Sequence, residues 1–385
     1  MSARPLALAF IGGALDSAVG YTHYSACRMD GRWQLVAGAF SEDPSINRDS
    51  AKAYGVAAER AYDDWSEMIR KEQQQLDAVA ILTPTPSHQT IVSECLALGI
   101  AVICEKALAA SSEEIEQILA TRDKQNGFLA VTYNYSGYPM LRELRNLIRN
   151  GKLGRILHFQ AEMPQEGFRR VDGRGEKPIP QAWRLHDGEI PTIYLDLAVH
   201  LHQLIHYLTA QHPLEVVADQ ANYGWFDVID NVSCLCRYSE QIMGQIWFSK
   251  AALGHRNGLK IRIYGSDASA EWLQTNPEEL LLSHADGRRQ ILDRGETTEV
   301  AGADRYSRFK AGHPAGFIEA FANLYQDIAN ALTSYQESSQ WHSDEVFSGE
   351  LALEGTRMFE AMISSFEQRQ WVSIAAKPSP SSSRD

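Results

Sequence analysis

Cysteine is scarce. Five occur in 385 residues (Cys27, Cys95, Cys104, Cys234 and Cys236). An odd number among mostly apolar neighbours excludes a disulfide framework and points to reduced thiols in a cytoplasmic protein. Cys234 and Cys236 lie two apart on an expected strand, so they face one side. That spacing suits packing, not a metal finger. Basic charge is also short: 36 Lys and Arg against 49 Asp and Glu leave a formal net charge of −13. Nucleic acid and anionic membrane surfaces both need a basic face, so neither is an expected partner. No apolar run is long enough to cross a bilayer. Arg4 and Leu6–Ile11 resemble a weak signal-peptide core. Gly12, Gly13 and Asp16 follow at once with no small-residue cleavage site, and a first β-strand explains the same residues better. Internal repeats are absent too.

What is present is an alternation of short apolar runs and helical stretches. Residues 6–11, 33–40, 76–82, 102–104 and 127–132 read as buried strands. Helices are expected after the first strand through His23 and Cys27, then over about 45–55, 64–73, 88–98 and 111–125. Strands and helices at this spacing predict a parallel, doubly wound sheet. The pattern then changes. A helix around 139–150 leads to candidate strands at 155–163, 214–222, 231–238, 243–250, 259–264, 269–273 and 279–283. Successive strands with short turns predict a mainly antiparallel sheet. The expected fold class is α/β, with a second α+β domain. The expected division is 1–132 for the first domain and 133–377 for the second. The Pro/Ser-rich tail 378–385 is expected to be disordered.

The turn after the first strand contains Gly12, Gly13, Ala14 and Ser17, and ends at Gly20. Glycines between a strand and a helix let the backbone approach a pyrophosphate, and the helix N-terminus supplies amide donors. The match to G-x-G-x-x-G is imperfect, because Ala14 takes the second glycine position. After the second strand, Ser41 and Arg48 lean towards NADP, whereas Glu42 and Asp43 lean towards NAD; the choice stays open. Val102–Ala107 reads as a strand buried on both faces that ends in Glu105 and Lys106. Ligands in such sheets sit beyond the carboxyl ends of the strands. The alternative is a solvated charge pair opening the next loop.

In the second half, residues 193–208 carry Leu197, Leu201, Leu204 and Leu208 on one helical stripe, beside a polar stripe of Asp196, His200, Gln203 and Tyr207. A carboxylate and an imidazole at i and i+4 share a face and can hydrogen-bond. His202 and His206 share the same spacing. No further ligands are evident on that face, so no metal is expected. Arg169, Arg170 and Arg174 form a local basic patch, read as a solvated loop before an anion site.

These residues resemble the glucose–fructose oxidoreductase / inositol dehydrogenase / MocA (Gfo/Idh/MocA) family over about residues 5–375. The resemblance rests on Gly20-Tyr21-Thr22-His23, Val36–Phe40, Thr83-Pro84-Thr85-Pro86-Ser87-His88 and Cys104-Glu105-Lys106. The family keeps T-P-N-x-x-H at the third strand's loop and E-K-P at the fourth strand's end. This chain has Thr85 for the asparagine and Ala107 for the proline. The resemblance implies a Rossmann first domain. Gly12, Gly13, Ala14, Ser17, Ser41, Arg48, Thr83, Thr85, His88, Glu105 and Lys106 would then line NAD or NADP. It implies Lys106, Asp196 and His200 as catalytic residues, and Tyr133, Trp183, Arg184 and His200 as substrate contacts.

The expected function is an NAD(P)-dependent oxidoreductase. Hydride would pass between nicotinamide and a secondary alcohol of a sugar, inositol or related polyol. Alternatives are an NAD-dependent glycoside hydrolase using transient oxidation and a non-catalytic, cofactor-bound sensor. A homodimer or homotetramer is expected, because an antiparallel sheet with helices on one side leaves a face that needs cover.

Overall fold

The buried strands of the first half assemble into one parallel sheet. The computed structural model describes residues 4–374, so the tail 378–385 lies outside the described residues. The strands are β1 (Leu6–Gly12), β2 (Trp33–Ala39), β3 (Ala78–Leu82), β4 (Val102–Cys104) and β5 (Leu129–Val131), in the spatial order β2-β1-β3-β4-β5. All four pairings are parallel. β3, β4 and β5 are buried along their whole length, as continuous apolar runs require. The helices that follow the strands are α1 (Gly20–Met29), α2 (Pro44–Tyr54), α3 (Trp65–Glu72), α4 (His88–Ala97) and α5 (Ser112–Gln125). Asp43, Asp64 and Ser111 cap α2, α3 and α5 by accepting backbone N–H groups of the first turn. The strand order reverses between β1 and β3, and this switch point is where such a sheet binds its ligand.

The second sheet has the order β13-β12-β11-β10-β6-β9-β8-β7-β14. Its strands are β6 (Ile156–Pro164), β7 (Pro213–Ala221), β8 (Asn231–Tyr238), β9 (Met243–Ser249), β10 (Lys260–Gly265), β11 (Ala268–Leu273), β12 (Asn276–His284), β13 (Arg289–Asp293) and β14 (Val372–Ser373). β6 pairs antiparallel with β10 and parallel with β9; β7–β8, β8–β9, β10–β11, β11–β12 and β7–β14 are antiparallel. Along β8 every second residue is buried, which sends Cys234 and Cys236 inward together. All five cysteines are free and buried.

The further α-helices are α6 (Pro139–Arg149), α7 (Val199–Thr209), introduced by a π-helical turn at Tyr194–Ala198, α8 (Phe317–Ser338) and α9 (Gly349–Gln368). The chain forms two compact units. One takes residues up to 146 with 277–279 and 292–353; the other takes 147–276, 280–291 and the chain from 354 onward. The sequence divides the chain after 132 and runs the second domain unbroken to 377. The return of 292–353 to the first unit follows from α8. Its Phe321, Leu324, Tyr325, Ile328 and Leu332 share one core with Leu8 and Phe10 of β1 and Trp33 of β2. Arg142 on α6, 1% exposed, donates to Asp327 of α8 at 2.7 Å and to the Ser136 carbonyl at 2.9 Å.

Candidate functional site

β1 ends in two residues that only glycine suits. Gly12 and Gly13 have φ of +77° and +76°. A Cβ on Gly12 would meet the Leu82 carbonyl carbon and Thr83 at 2.9 Å, and one on Gly13 would meet the Leu82 side chain at 2.6 Å. Gly20 opens α1 directly against this turn, where a Cβ would lie 2.0 Å from the Gly13 carbonyl oxygen. Two residues of α2 hold the turn from the side. Ser50 Oγ accepts from the Leu15 amide at 3.1 Å, and the Tyr54 hydroxyl donates to the Gly13 carbonyl at 3.0 Å. Ser17 Oγ accepts from Gly20 N at 2.8 Å, while Val19 at the N-cap of α1 has no side-chain acceptor to offer. Close backbone and an N-terminus without a side-chain cap fit a dinucleotide pyrophosphate. Ala14 does not share this role, since its methyl is buried in the core at 4% exposure.

The loops after β3 and β4 are tied by His88. Its Nδ1 lies 2.8 Å from the Ala107 carbonyl oxygen and its Nε2 2.8 Å from that of Thr83. The ring is 0% exposed, and burial pushes its pKa down. The resemblance casts His88 as a cofactor contact; with both nitrogens on carbonyls and no exposed surface, it acts here as a strut between loops. Thr85 is likewise buried, at 4% exposure. Thr83 accepts from the Ser87 hydroxyl at 2.8 Å.

Glu105 ends β4 as a buried carboxylate. Its Oε1 lies 3.0 Å from His23 Nε2 and accepts from the Thr132 hydroxyl; His23 Nδ1 in turn lies 2.8 Å from the Tyr325 hydroxyl. Burial alone would raise the Glu105 pKa. The His23 bond and charge, with Lys106 and Thr132, outweigh burial and hold it below the usual carboxylate range. Lys106 follows with its side chain partly exposed, and the Lys106–Ala107 peptide is cis. Tyr133 is 4% exposed and packs edge-on against Phe347 at 6.3 Å.

After β2, Asp43 is committed to capping α2: its Oδ1 accepts from the Ser45 amide at 2.7 Å and the Ile46 amide at 3.2 Å. Those bonds, led by the Ser45 hydroxyl, hold its pKa below the usual range. Ser41 accepts from the Asp43 amide at 3.2 Å, and Arg48 is exposed on α2.

In the second unit, Asp196 lies on the π-helical turn and His200 on the first turn of α7. Both are buried, at 7% and 4% exposure. The expected amphipathic helix is instead buried nearly all round, with the leucine stripe and the polar stripe both inside. The carboxylate of Asp196 is gripped by cations. Lys250 Nζ lies 2.5 Å from Oδ2, and Arg184 lies 3.4 Å from both oxygens. Arg184 also stacks on Trp183 at 4.9 Å, which places the expected Trp-Arg pair beside Asp196. Gln203, 1% exposed, has neither amide atom hydrogen-bonded among the described residues. The basic patch is spent locally, as Arg169 stacks on Trp225 at 4.1 Å and Arg170 pairs with Glu166 at 3.4 Å.

Lys250 and Tyr325 escape a reading of the sequence, which names their counterpart His23 only within a motif. Lys250 follows β9, 54 residues from Asp196, and Tyr325 lies 302 residues from His23. Only a lysine ending an inward-facing strand position hinted at Lys250.

Comparison with known proteins agrees with this geometry. Residues 7–133 match the oxidoreductase family with an NAD-binding Rossmann fold, and residues 141–271 match the GFO/IDH/MocA C-terminal domain. Residues 7–133 are therefore the NAD-binding Rossmann part of an oxidoreductase. The oxidoreductase YfiI of Bacillus subtilis is 33% identical over 384 residues, covering 96% of this chain and 97% of the relative. The chain belongs to the Gfo/Idh/MocA oxidoreductase family. Two solved structures are similar over almost the full length. An inositol dehydrogenase homolog from Azotobacter vinelandii, complexed with NADH and myo-inositol, gives a TM-score of 0.87 at 28% identity, covering 96% of this chain and 98% of that one. An oxidoreductase from Pseudomonas syringae gives 0.85 at 28% identity, covering 97% and 99%. Among the described residues, no helix is long and apolar enough to cross a membrane.

Proposed function

We propose that this protein is a cytoplasmic NAD(P)-dependent dehydrogenase that oxidises, reversibly, a secondary alcohol of a sugar, an inositol or a related polyol. The observation that carries the substrate class is the helix from Asp196 to Gln203. It buries a carboxylate, an imidazole and an amide on consecutive turns, with Lys250 and Arg184 beside them. The buried amide of Gln203 needs a partner that both donates and accepts, and a hydroxyl-rich ligand supplies several. The bound myo-inositol of the Azotobacter relative is a ligand of that chemistry.

The nicotinamide, when bound, supplies the hydride acceptor or donor; this chain supplies position and electrostatics. Gly12, Gly13 and the first amides of α1 hold the pyrophosphate, and Ser41 and Arg48 flank the ribose. His200 takes the proton of the reacting hydroxyl. Lys106, next to the Glu105 carboxylate, steadies the developing alkoxide. Asp196, charged between Lys250 and Arg184, positions the helix turn that presents His200. Trp183 and Arg184 contact the substrate's hydroxyls.

The test is a panel of inositols, sugars and sugar acids offered with NAD and with NADP, followed by absorbance of the reduced nicotinamide. Turnover of at least one cyclic polyol or sugar is the expected result. No turnover across the panel, with cofactor binding intact, would overturn the substrate class.

A further inference from the structure

Away from Asp196 and His200, the far end of α7 gathers a second cluster. His202 and His206 occupy successive turns of α7, His212 lies just before β7, and Glu354 projects from α9. His212 Nδ1 is 2.5 Å from Glu354 Oε2, His206 Nδ1 is 3.9 Å from Glu354 Oε1, and the rings of His206 and His212 are centred 5.2 Å apart. One donor atom each from His206, His212 and Glu354 lies within 4.8 Å of the others. The sequence shows only the His202/His206 pair; the two remaining members come from 6 and 148 residues beyond His206, by the difference of their residue numbers. We infer that His206, His212 and Glu354 form a binding site for one divalent transition-metal ion of the zinc type, which clips the end of α7 to α9.

The donor set fits the ion. Two imidazoles and one carboxylate are borderline nitrogen and oxygen ligands of the sort zinc takes, with water in the fourth position. A tetrahedral ion with bonds of about 2.0–2.1 Å keeps its donors roughly 3.4 Å apart. The 2.5 Å His212–Glu354 contact therefore needs to open by about an ångström, and gaps of up to 4.8 Å to close by a little more. The half-exposed His212 side chain can make that movement, because it sits on a short connection and not inside a helix.

A second layer supports the first. His202, 2% exposed, lies with Nε2 3.1 Å from Glu354 Oε1 and fixes the carboxylate's orientation, leaving Oε2 towards His212. His202 is itself wedged against α9, since a Cβ on Gly355 would meet its Nδ1 at 2.8 Å. A buried group that orients a ligating carboxylate is the usual outer shell of a metal site. A purely ionic cluster is the weaker account. It accounts for the short His212–Glu354 contact but not for the placing of His206 Nδ1, which stands 3.9 Å from Glu354 Oε1, beyond hydrogen-bond distance.

The experiment uses the full-length chain without a histidine tag, stripped with EDTA and then freed of it, and ZnCl2 alone as probe. Calorimetry should show one zinc per chain with Kd of about 10 µM or tighter, and thermal unfolding should shift upward by several degrees in excess zinc. His212→Ala, which alters a largely exposed side chain, should weaken binding at least about tenfold, and Glu354→Gln should do the same. His342→Ala, at a side chain 91% exposed, should leave both readouts unchanged. Absence of zinc binding at about 100 µM in the parent chain would overturn the site. So would unchanged affinity in His212→Ala and Glu354→Gln. Neither readout depends on turnover, so failure here would leave the dehydrogenase proposal standing.

Discussion

Lys250 Nζ lies 2.5 Å from Asp196 Oδ2, and both side chains are buried, at 3% and 7% exposure. Burying a carboxylate is costly unless a cation and hydrogen bonds accompany it, and removing one partner of such a pair leaves a charge poorly compensated. Arg184 is more exposed and more distant, so it replaces Lys250 only in part. Lys250→Met should cost about 3 kcal/mol of stability in urea unfolding and lower turnover. A variant as stable and as active as the parent would show that Asp196 does not depend on this lysine.

Gly12 pairs a left-handed φ with a neighbour at 2.9 Å. Gly12→Val would add a branched side chain where the pyrophosphate backbone must approach. Strain of about 1–2 kcal/mol is expected from φ alone. Cofactor affinity should be lost in calorimetry while circular dichroism still reports a folded chain. Unchanged binding of both NAD and NADP would remove the turn from the cofactor site.

With Asp43 spent on capping α2, the ribose choice falls to Ser41, Glu42 and Arg48. Ser41→Asp would place a carboxylate near the 2′ position, accepting from the ribose hydroxyl of NAD and repelling the phosphate of NADP. The NADP/NAD affinity ratio should fall by at least about tenfold, the worth of roughly 1.4 kcal/mol. A constant ratio in calorimetry counts against Ser41 at the ribose.

The first sheet was legible because its signals are local. Continuous apolar runs named β3 and β4, and glycines named the turn. The second sheet's middle strands were legible for the same reason; β8 alternates plainly. β13 and β14 were missed because they are short edge strands. α9 was missed because Gly349 and Gly355 weaken its helical signal. Spacing and resemblance single out Asp196, His200, Arg184 and Lys106 as site candidates, and the structure places Arg184 beside Asp196. Lys250, Tyr325 and Glu354 could not be singled out, since each meets its partner only after the chain has folded over scores of residues. His88 and Tyr133, which the resemblance places at the ligands, are both buried. A motif identifies a residue, but burial decides whether it touches a ligand or holds the residues that do.

Glu105 should make stability depend on pH in acid. Its folded pKa is depressed by His23, Lys106 and Thr132 against the pull of burial. Its unfolded value is about 4.3. A depressed carboxyl contributes stability fully above the unfolded value, and the contribution drains away as pH falls through it towards the folded one. Glu105→Gln should therefore destabilise the protein at pH 7, and the gap between variant and parent should narrow below about pH 4.3. A gap that stays constant from neutral to acid pH in urea unfolding would show that the charge of Glu105 is not what holds His23.

The proposed function has Lys106 and His200 serve one proton-transfer step. His200→Ala should leave cofactor affinity intact and cut kcat by roughly two to four powers of ten, the usual worth of a positioned general base. Lys106→Ala should cost a similar factor by removing charge stabilisation of the alkoxide. If the two groups serve the same transition state, each single loss already forfeits part of what the other provides. The double variant should then lose less than the product of the single losses. Independent roles would instead give the full product. A base acts only when deprotonated, so alcohol oxidation by the parent should speed up with rising pH and His200→Ala should flatten that rise. Full turnover in His200→Ala with an unchanged pH profile would exclude His200 as the base and direct the search to another proton acceptor on the same helix.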